Sequence, residues 1–482
     1  MGLYLGIDIG TSGTKTLVVD DSGRILAQAT SRYQVYHPKP LWSEQDPEDW
    51  WQATIATVRA ATRQAKAKPA DVKAIGLSGQ MHGSVFVDKR HRVLRRAILW
   101  NDQRTAEAVQ EIEEAVPGEE LIRRTGNPAI TGFQLPKLLW LRREEPENFA
   151  RTRHSLLPKD YLGYALTGVM AAEPSDASGT NCFNLTARSW DEDILAALGL
   201  SPALFPEVVP SHAVVGRLTE ERAGHTGLPA GLPVVAGAGD NAAAAIALGI
   251  SSLETERGSV SLGTSGVIFA PLREARPDPQ GRVHLFCHAD GGYHLLGVTL
   301  SAAGSLQWYR DTFAPGTAFS ELIELALQSR PGAGGVSFRP YLAGERTPFM
   351  NPDLRASWTG LSLATTRADV VRSVLEGVAF SLRDVLDVMT PLTSLETCLV
   401  TGGGARSSFW LQLVADVLEL PLAVPARNQG AAYGAALLAM RGAGLVGDTR
   451  EVVSGETTAT VTPAAPGRYA EALAAYRRWT LT

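Results

Sequence analysis

Asp8 lies next to the end of an apolar run at residues 3–9, which is followed at once by Gly10-Thr11-Ser12-Gly13, then Thr14 and Lys15. A turn made of Gly, Thr and Ser presents backbone N–H groups and hydroxyls with no bulky side chain in front of them, which is what a phosphate chain requires. A carboxylate just before such a turn suits hydrated Mg²⁺ better than it suits phosphate itself. The bland alternative is an ordinary β-turn followed by a solvated lysine. The turn, however, occurs twice, as Gly263-Thr264-Ser265-Gly266 again lies between two apolar runs. Two such turns, one per half, can grip one nucleotide across a cleft. The P-loop pattern and the protein-kinase motifs are both missing, so phosphate binding must use another architecture.

Asp240 begins a stretch of small residues after Gly237-Ala238-Gly239. The spacing meets the loose dinucleotide pattern G-x-G-x-x-A, but a carboxylate at the start of the following helix would repel a pyrophosphate placed there. It suits a general base, and an N-cap role is compatible with that. Gly402-Gly403-Gly404-Ala405 follow another apolar run and leave bare backbone against which a flat ring such as adenine can lie, or else they simply pack a strand tightly onto a helix. His82, in Gly79-Gln80-Met81-His82-Gly83, is flanked by glycines that leave it reachable, although a satisfied buried histidine is the alternative. Trp100-Asn101-Asp102 joins an aromatic face to hydrogen-bonding groups, a mixture suited to polyhydroxylated ligands. His284, Cys287 and His288 have ligand-like spacing but no remote fourth ligand, which argues against a metal centre there.

These groups need elements to hold them. Runs at 3–9, 16–19 and 25–30 read as an antiparallel meander, a helix near 47–66 starts at the Asp46-Pro47-Glu48 cap, and 72–77 reads as a buried strand. Thr366 to Asp369 has the form of a capping box before an amphipathic helix of about six turns. A strand at 397–400, a helix at 405–419, a strand at 420–424 and a helix at 429–440 follow as a parallel βαβ-like unit. The repeated turn marks two duplicated halves, with the boundary expected near 248–258. The expected domains are 1–250, 251–445 and a tail at 446–482 with a terminal helix over 466–479.

Composition narrows the function. The chain has 482 residues, enough for two large domains, with 45 basic and 50 acidic side chains and a net charge of −5. With no long like-charge runs, neither nucleic acid nor a membrane surface is an expected partner, and an anionic small molecule would need a local site. Three well-separated cysteines form no disulfide framework and fit a reducing, cytoplasmic compartment. No apolar run is long enough to span a membrane, and no basic flank precedes the first apolar stretch.

Taken together, residues 8–15, Gly79 to Gly83, Trp100 to Asp102, Gly239 to Asn241 and Ser261 to Gly266 resemble the FGGY family of carbohydrate kinases. Residues 41–47, 157–161 and 344–348 strengthen the match, which runs from residue 3 to about 442. The resemblance implies an α/β fold of two actin-like, ribonuclease-H-like lobes from a duplicated unit, with the active site in the cleft between them. It implies ATP and Mg²⁺ as cofactors, a small-molecule sugar as acceptor, and a homodimer as one compatible assembly. Within the family, Gln80 to Gly83 favours D-xylulose over ribulose, fuculose, gluconate or glycerol. By the same resemblance Asp240 is the catalytic base, and Met81, His82 and Asn241 line the sugar site, with Gln80, Trp100, Asn101 and Asp102 beside them. Asp8 positions Mg²⁺. Thr11, Ser12, Gly13, Thr14 and Lys15, together with Gly263, Thr264 and Ser265, face the phosphates, and Gly402, Gly403, Gly404 and Ala405 contact adenosine. Gln429, where the family usually has Glu, and Ala244, where Gly is frequent, depart from the pattern. An idle actin-like nucleotide switch and a dehydrogenase are the readings from other classes, and Asp240 beside intact phosphate turns disfavours the first.

Overall fold

A computed structural model describes residues 2–427, 429–453 and 455–478 and divides the chain into two compact units. The first comprises 2–252, 285–293 and 429–455; the second comprises 253–284, 294–428 and 456–478. The expected single cut near residue 250 therefore meets two returns of the chain into the first unit.

In the first unit, β1 (Leu3–Ile9) and β2 (Gly13–Asp20) form the expected hairpin, and β3 (Ile25–Arg32) adds antiparallel to β2. On the other side of β1 lies β4 (Val72–Gly79), parallel to it, followed by Pro233–Val235, parallel to β4. In the second unit the strands Tyr293–Thr299, Gly266–Leu272, Arg257–Leu262, Thr397–Thr401 and Leu422–Pro425 occur in the same order. Here too the hairpin is antiparallel and the two strands after it are parallel. The repeated turn thus marks a repeated topology.

Local rules explain the helix boundaries. Asp46 caps α1 (Pro47–Gln64) by accepting the Glu48 N–H at 3.0 Å. Thr366 and Asp369 make a reciprocal capping box at the start of α2 (Arg367–Met389), 23 residues long. The helix expected from 405 is broken. Gly403–Arg406 forms one 3₁₀ turn, and Ser407 then caps α3 (Ser408–Leu418), because its hydroxyl accepts the Trp410 N–H and offers the backbone a second start. The helix α4 (Gly430–Gly442) belongs to the first unit, where it crosses β1 and β4. The terminal helix covers Ala470–Arg478; Trp479, the expected end, lies outside the described residues.

Two glycines permit the α4 crossing. A Cβ on Gly6 would lie 1.8 Å from the Ala432 carbonyl oxygen, and one on Gly76 would lie 1.8 Å from that of Ala435. Both contacts are with backbone, so no side-chain rotation relieves them. Around them Tyr4, Leu17, Ala74, Leu437 and Met440 fill a buried cluster. Gly6→Ala should therefore cost about 1–3 kcal/mol or more as helix and sheet are forced apart. Urea denaturation checks this, and an unchanged midpoint would show that the helix can shift at little cost.

Candidate active site

The first unit gathers its acidic groups around the end of β1. Strand register places Asp8 opposite Lys15 on β2 and Ser78 on β4. Asp8 is half-buried, its buried Oδ1 has no hydrogen-bond partner, and burial raises its pKa to about 6 against the opposing pull of Ser78 and Lys15. Gly237 lets the chain pass over β4, since a Cβ there would lie 1.7 Å from the Leu77 carbonyl oxygen, and its φ of 78° is the left-handed region. Asp240 then opens the helix Asp240–Ala247 as its first residue rather than as its cap, with Gly239 in the cap position.

Asp240 accepts two hydrogen bonds at Oδ1, from the Asn241 backbone N–H at 2.7 Å and from its side-chain amide at 2.9 Å. Burial first, and the negative charge of Asp8 second, raise its pKa to about 7, with the Asn241 N–H opposing. A reference carboxylate near 3.9 would be a weak base; this one is tuned to neutral pH. Asn241 Nδ2 also lies 3.9 Å from Met81 Sδ, and Met81 is packed over Gly239.

His82 stands beside this pair in a left-handed conformation, φ 67°. Its Nδ1 donates to the Gly179 carbonyl at 2.7 Å, and its ring stacks on Phe133 with centroids 4.3 Å apart. Lys137, fully buried, donates to the carbonyls of both His82 and Gly132 at 2.6 Å. Burial holds the Lys137 pKa well below the usual lysine value. The sequence reading passed over Lys137; the available signal was a lysine inside the apolar run 135–141.

Gln80 and Trp100 serve the first phosphate turn. Trp100 Nε1 donates to the Thr11 hydroxyl at 2.9 Å, which in turn donates to Gln80 Oε1 at 3.3 Å. Gln80 Nε2 reaches Gln45, and Gln45 Nε2 donates to the Thr11 carbonyl at 2.6 Å. Gln80 is 1 % exposed, so it positions the turn and is not open to a ligand. Asp102 is likewise committed: the Ser43 N–H takes one oxygen at 2.6 Å and Arg104 takes both. Arg104 itself lies 3.6 Å from the centroid of Trp42, which makes that tryptophan more than packing. By contrast Asn101 keeps a buried Oδ1 without a partner, an acceptor suited to a hydroxyl. Thr14 is fully buried, whereas Ser12 is exposed at the tip of the turn.

Behind Asp240 lies a second group that the sequence reading left without a role. Lys159 is fully buried, 2.6 Å from Asp160 and 3.8 Å from both Glu173 and Asp176. Glu173 accepts the Ser175 hydroxyl, and Ser175 Oγ accepts the Gly239 N–H at 3.1 Å. This chain fixes the backbone immediately before Asp240. Among the described residues no cluster of three acidic, histidine or cysteine side chains could hold a metal ion. The partnerless Asp8 oxygen, with the charge of Asp240 nearby, nonetheless fits a divalent cation that keeps most of its waters. His288, which had ligand-like spacing, instead pairs through Nδ1 with Asp290 at 2.8 Å.

In the second unit the Gly263-Thr264 carbonyls accept N–H groups of Ala302, Ala303 and Gly304, which pins the turn to the start of the helix Ala303–Phe313. A Cβ on Gly402, φ 91°, would lie 2.5 Å from Leu262 backbone atoms and 2.8 Å from the Gly263 nitrogen, so the two glycine segments meet. A cavity of about 870 Å³ opens where they meet, lined by Gly263, Thr264, Gly403 and Gly404 and by apolar Phe319 and Ile323. Ala405 borders instead a neighbouring cavity of about 720 Å³ beside Val424 and Pro425.

The model of the FGGY family of carbohydrate kinases, N-terminal domain, matches residues 3–247, and that of the C-terminal domain matches 258–443. The chain is 40 % identical to a xylulose kinase of Bacillus subtilis (strain 168) over 92 % of this chain and 89 % of that one. It is 42 % identical to a xylulose kinase of Escherichia coli (strain K12), over 91 % and 89 %. The crystal structure of xylulose kinase from Rhodospirillum rubrum is similar with a TM-score of 0.92 at 30 % identity, covering 99 % of this chain and 98 % of that one.

The Asp240 carboxyl gives a pH signature that is independent of turnover. Its folded pKa, about 7, lies above the ordinary value of 3.8, so the folded state holds the proton more tightly than the unfolded chain does. Native stability is therefore unaffected by this group below about pH 4, falls as pH rises towards 7, and carries the full penalty above 7. Asp240→Asn keeps the acceptor oxygen and removes the charge. In metal- and nucleotide-free protein it should match wild type at pH 4 and be more stable by about 2–4 kcal/mol at pH 8. Thermal unfolding across that range tests it; a gap that does not grow with pH would remove the raised pKa.

Proposed function

The chain belongs to the FGGY family of carbohydrate kinases, and from that premise we propose that it transfers the γ-phosphoryl group of ATP to the terminal 5-hydroxyl of D-xylulose, with Asp240 as general base. The observation that carries this reading is the half-buried Asp240 carboxyl group, its pKa raised to about 7 beside Asp8, bordered by Asn241 and Met81. The xylulose kinases named above support the sugar assignment.

The first unit would hold the sugar. Asn241, His82 and the free acceptor of Asn101 offer hydrogen bonds, and Met81 offers an apolar wall. Asp240 would accept the hydroxyl proton as the new O–P bond forms; in a loose phosphoryl-transfer transition state that proton leaves late, so a base near neutrality suffices. Thr11 to Lys15 and Gly263 to Ser265 would orient the phosphates, and the cavity at Gly403 and Gly404 would take adenosine against Phe319 and Ile323, with Gly402 bordering the neighbouring cavity. Asp8 would hold Mg²⁺, which when bound supplies charge neutralisation for the phosphate chain. Residues 1–250 are thus assigned mainly to sugar and base and 251–445 mainly to ATP, with the first unit also claiming 285–293 and 429–455. Buried, unpaired Cys182, Cys287 and Cys398 support a reducing, cytoplasmic setting. No helix among the described residues is long and apolar enough to cross a membrane. A homodimer, the assembly compatible with this reading, would show twice the 51.5 kDa chain mass in light scattering.

Two kinetic outcomes test the assignment. In a coupled ADP-release assay over ketoses, polyols and sugar acids, D-xylulose should give the highest kcat/KM; a tenfold higher value for D-ribulose, glycerol or gluconate would move the sugar and leave the family untouched. Asp240→Asn should lower kcat by about 10² to 10⁴, roughly 3–5 kcal/mol, with little change in KM for either substrate. Retention of more than about a tenth of native kcat would remove Asp240 from the base role.

A further inference from the structure

Residues 89–96 read Lys-Arg-His-Arg-Val-Leu-Arg-Arg, a density of positive charge that the near-balanced composition conceals. The first four form the turn after the strand Val85–Asp88. That strand pairs antiparallel with Thr152–Leu156, with Asp88 opposite Thr152 and an irregular register between Val87 and Asp88. A bulge of this kind bends a strand end and re-aims its side chains. The pairing therefore brings Arg151 and Arg153, about sixty residues away in sequence by rough count, against the Lys89 to Arg92 turn.

A concavity of about 640 Å³ results, lined by Lys89, Arg90, Arg92, Arg151 and Arg153, with Asp88 as the only acid among its lining residues. Asp88 does little to balance this charge. Its Oδ1 accepts the backbone N–H groups of Arg90 and Arg92, at 2.8 and 3.0 Å, and its Oδ2 is held by the Arg92 guanidinium. That carboxylate is spent on shaping the turn. Among the described residues, Lys89, Arg90, Arg151 and Arg153 have no ion-pair partner, and all four are exposed. His154, next along the strand, responds to the same field: burial first, then the charges of Arg153 and His91, lower its pKa.

Like charges gathered in one concavity repel, and a multivalent anion relieves that repulsion while guanidinium groups offer paired donors to phosphate oxygens. The size is that of a small-molecule site, not of the extended stripe that a nucleic acid needs. We propose that the concavity between the Lys89–Arg92 turn and Arg151–Arg153 binds a small anion carrying two or more phosphate groups. None of its residues belongs to the catalytic or nucleotide-binding sets described above, so the site is separate from those residues and does not depend on the sugar assignment.

Isothermal titration of the full chain with inorganic pyrophosphate, at low salt and without Mg²⁺, tests the proposal. Arg90→Ala/Arg153→Ala should weaken binding at least tenfold, Arg90→Lys/Arg153→Lys should weaken it less, and 0.5 M salt, chosen as roughly a 4 Å screening length, should suppress it. Both variants should keep native unfolding midpoints and an unchanged KM for ATP, because the replaced side chains are exposed and unpaired. Absence of pyrophosphate binding to the wild type overturns the proposal, as does binding that the alanine variant leaves unaltered, which would place the anion on the phosphate turns. Tighter capture of a single-stranded oligonucleotide than of pyrophosphate through the same arginines would overturn the small-anion assignment.

Discussion

Two carboxyl groups, Asp8 and Asp240, lie half-buried in one region of the first unit, and among the described residues neither forms an ion pair. Burial makes the ionisation of both harder, and the charge of Asp8 adds a smaller effect of the same sign on Asp240. Such an arrangement is costly for stability and persists only where the surrounding structure leaves no alternative. Asp8 is fixed by strand register on both sides; Asp240 is fixed by the Gly237 crossing, by the Ser175 contact to Gly239, and by its own bonds to Asn241. The nearby Lys159 shows the contrasting solution. There a buried ammonium sits permanently among Asp160, Glu173 and Asp176. Permanent compensation suits a support; a base that must take and release a proton is better served by compensation that arrives with the substrates.

The same logic orders the side chains around the pair. His82 adopts a left-handed backbone, which an L-residue tolerates only at some cost, and the buried Lys137 spends two strong hydrogen bonds on holding the carbonyls of His82 and Gly132 in place. Gln45, Gln80 and Trp100 do for the Thr11 turn what Lys137 does for His82. In both cases a buried polar group is satisfied by a group it positions, so the cost of burying it is offset by a defined geometry. Asp102 and Arg104, stacked on Trp42, extend this support away from the ligand-facing surface.

What could be read in the sequence was whatever short-range rules determine. The Asp46 cap, the Thr366 box, the duplicated Gly-Thr-Ser-Gly turn and the strands around it depend on residues within a few positions of one another, and all appear where expected. The break at Ser407 is also local, but two competing starts lie within five residues and pattern alone does not choose between them. Asp102 and Gln80 have side chains suited to a ligand; only the fold shows that Ser43, Arg104 and Gln45 already occupy them. The raised pKa of Asp240 comes from burial first and from Asp8, far away in sequence, second, so spacing could not supply it. Likewise, membership of 429–455 in the first unit rests on Gly6 and Gly76 lying under α4, a packing relation with no signature along the chain.

The two units divide the chemistry by the surfaces they offer. The first presents carboxyl, amide and imidazole groups, most of them tied to a defined partner, and under the proposed assignment a sugar that misplaced a hydroxyl would leave a buried acceptor such as Asn101 Oδ1 unpaired. The second presents bare glycine backbone and the partly exposed rings and aliphatic groups of Phe319, Ile323 and Leu327. Such a surface gains from covering apolar area and is tolerant of exact register, since a flat ring can slide on it with little loss. Under the proposed assignment, discrimination between sugars would reside in the first unit, and substitutions in the second unit's cavity should change nucleotide affinity without altering which hydroxyl is phosphorylated.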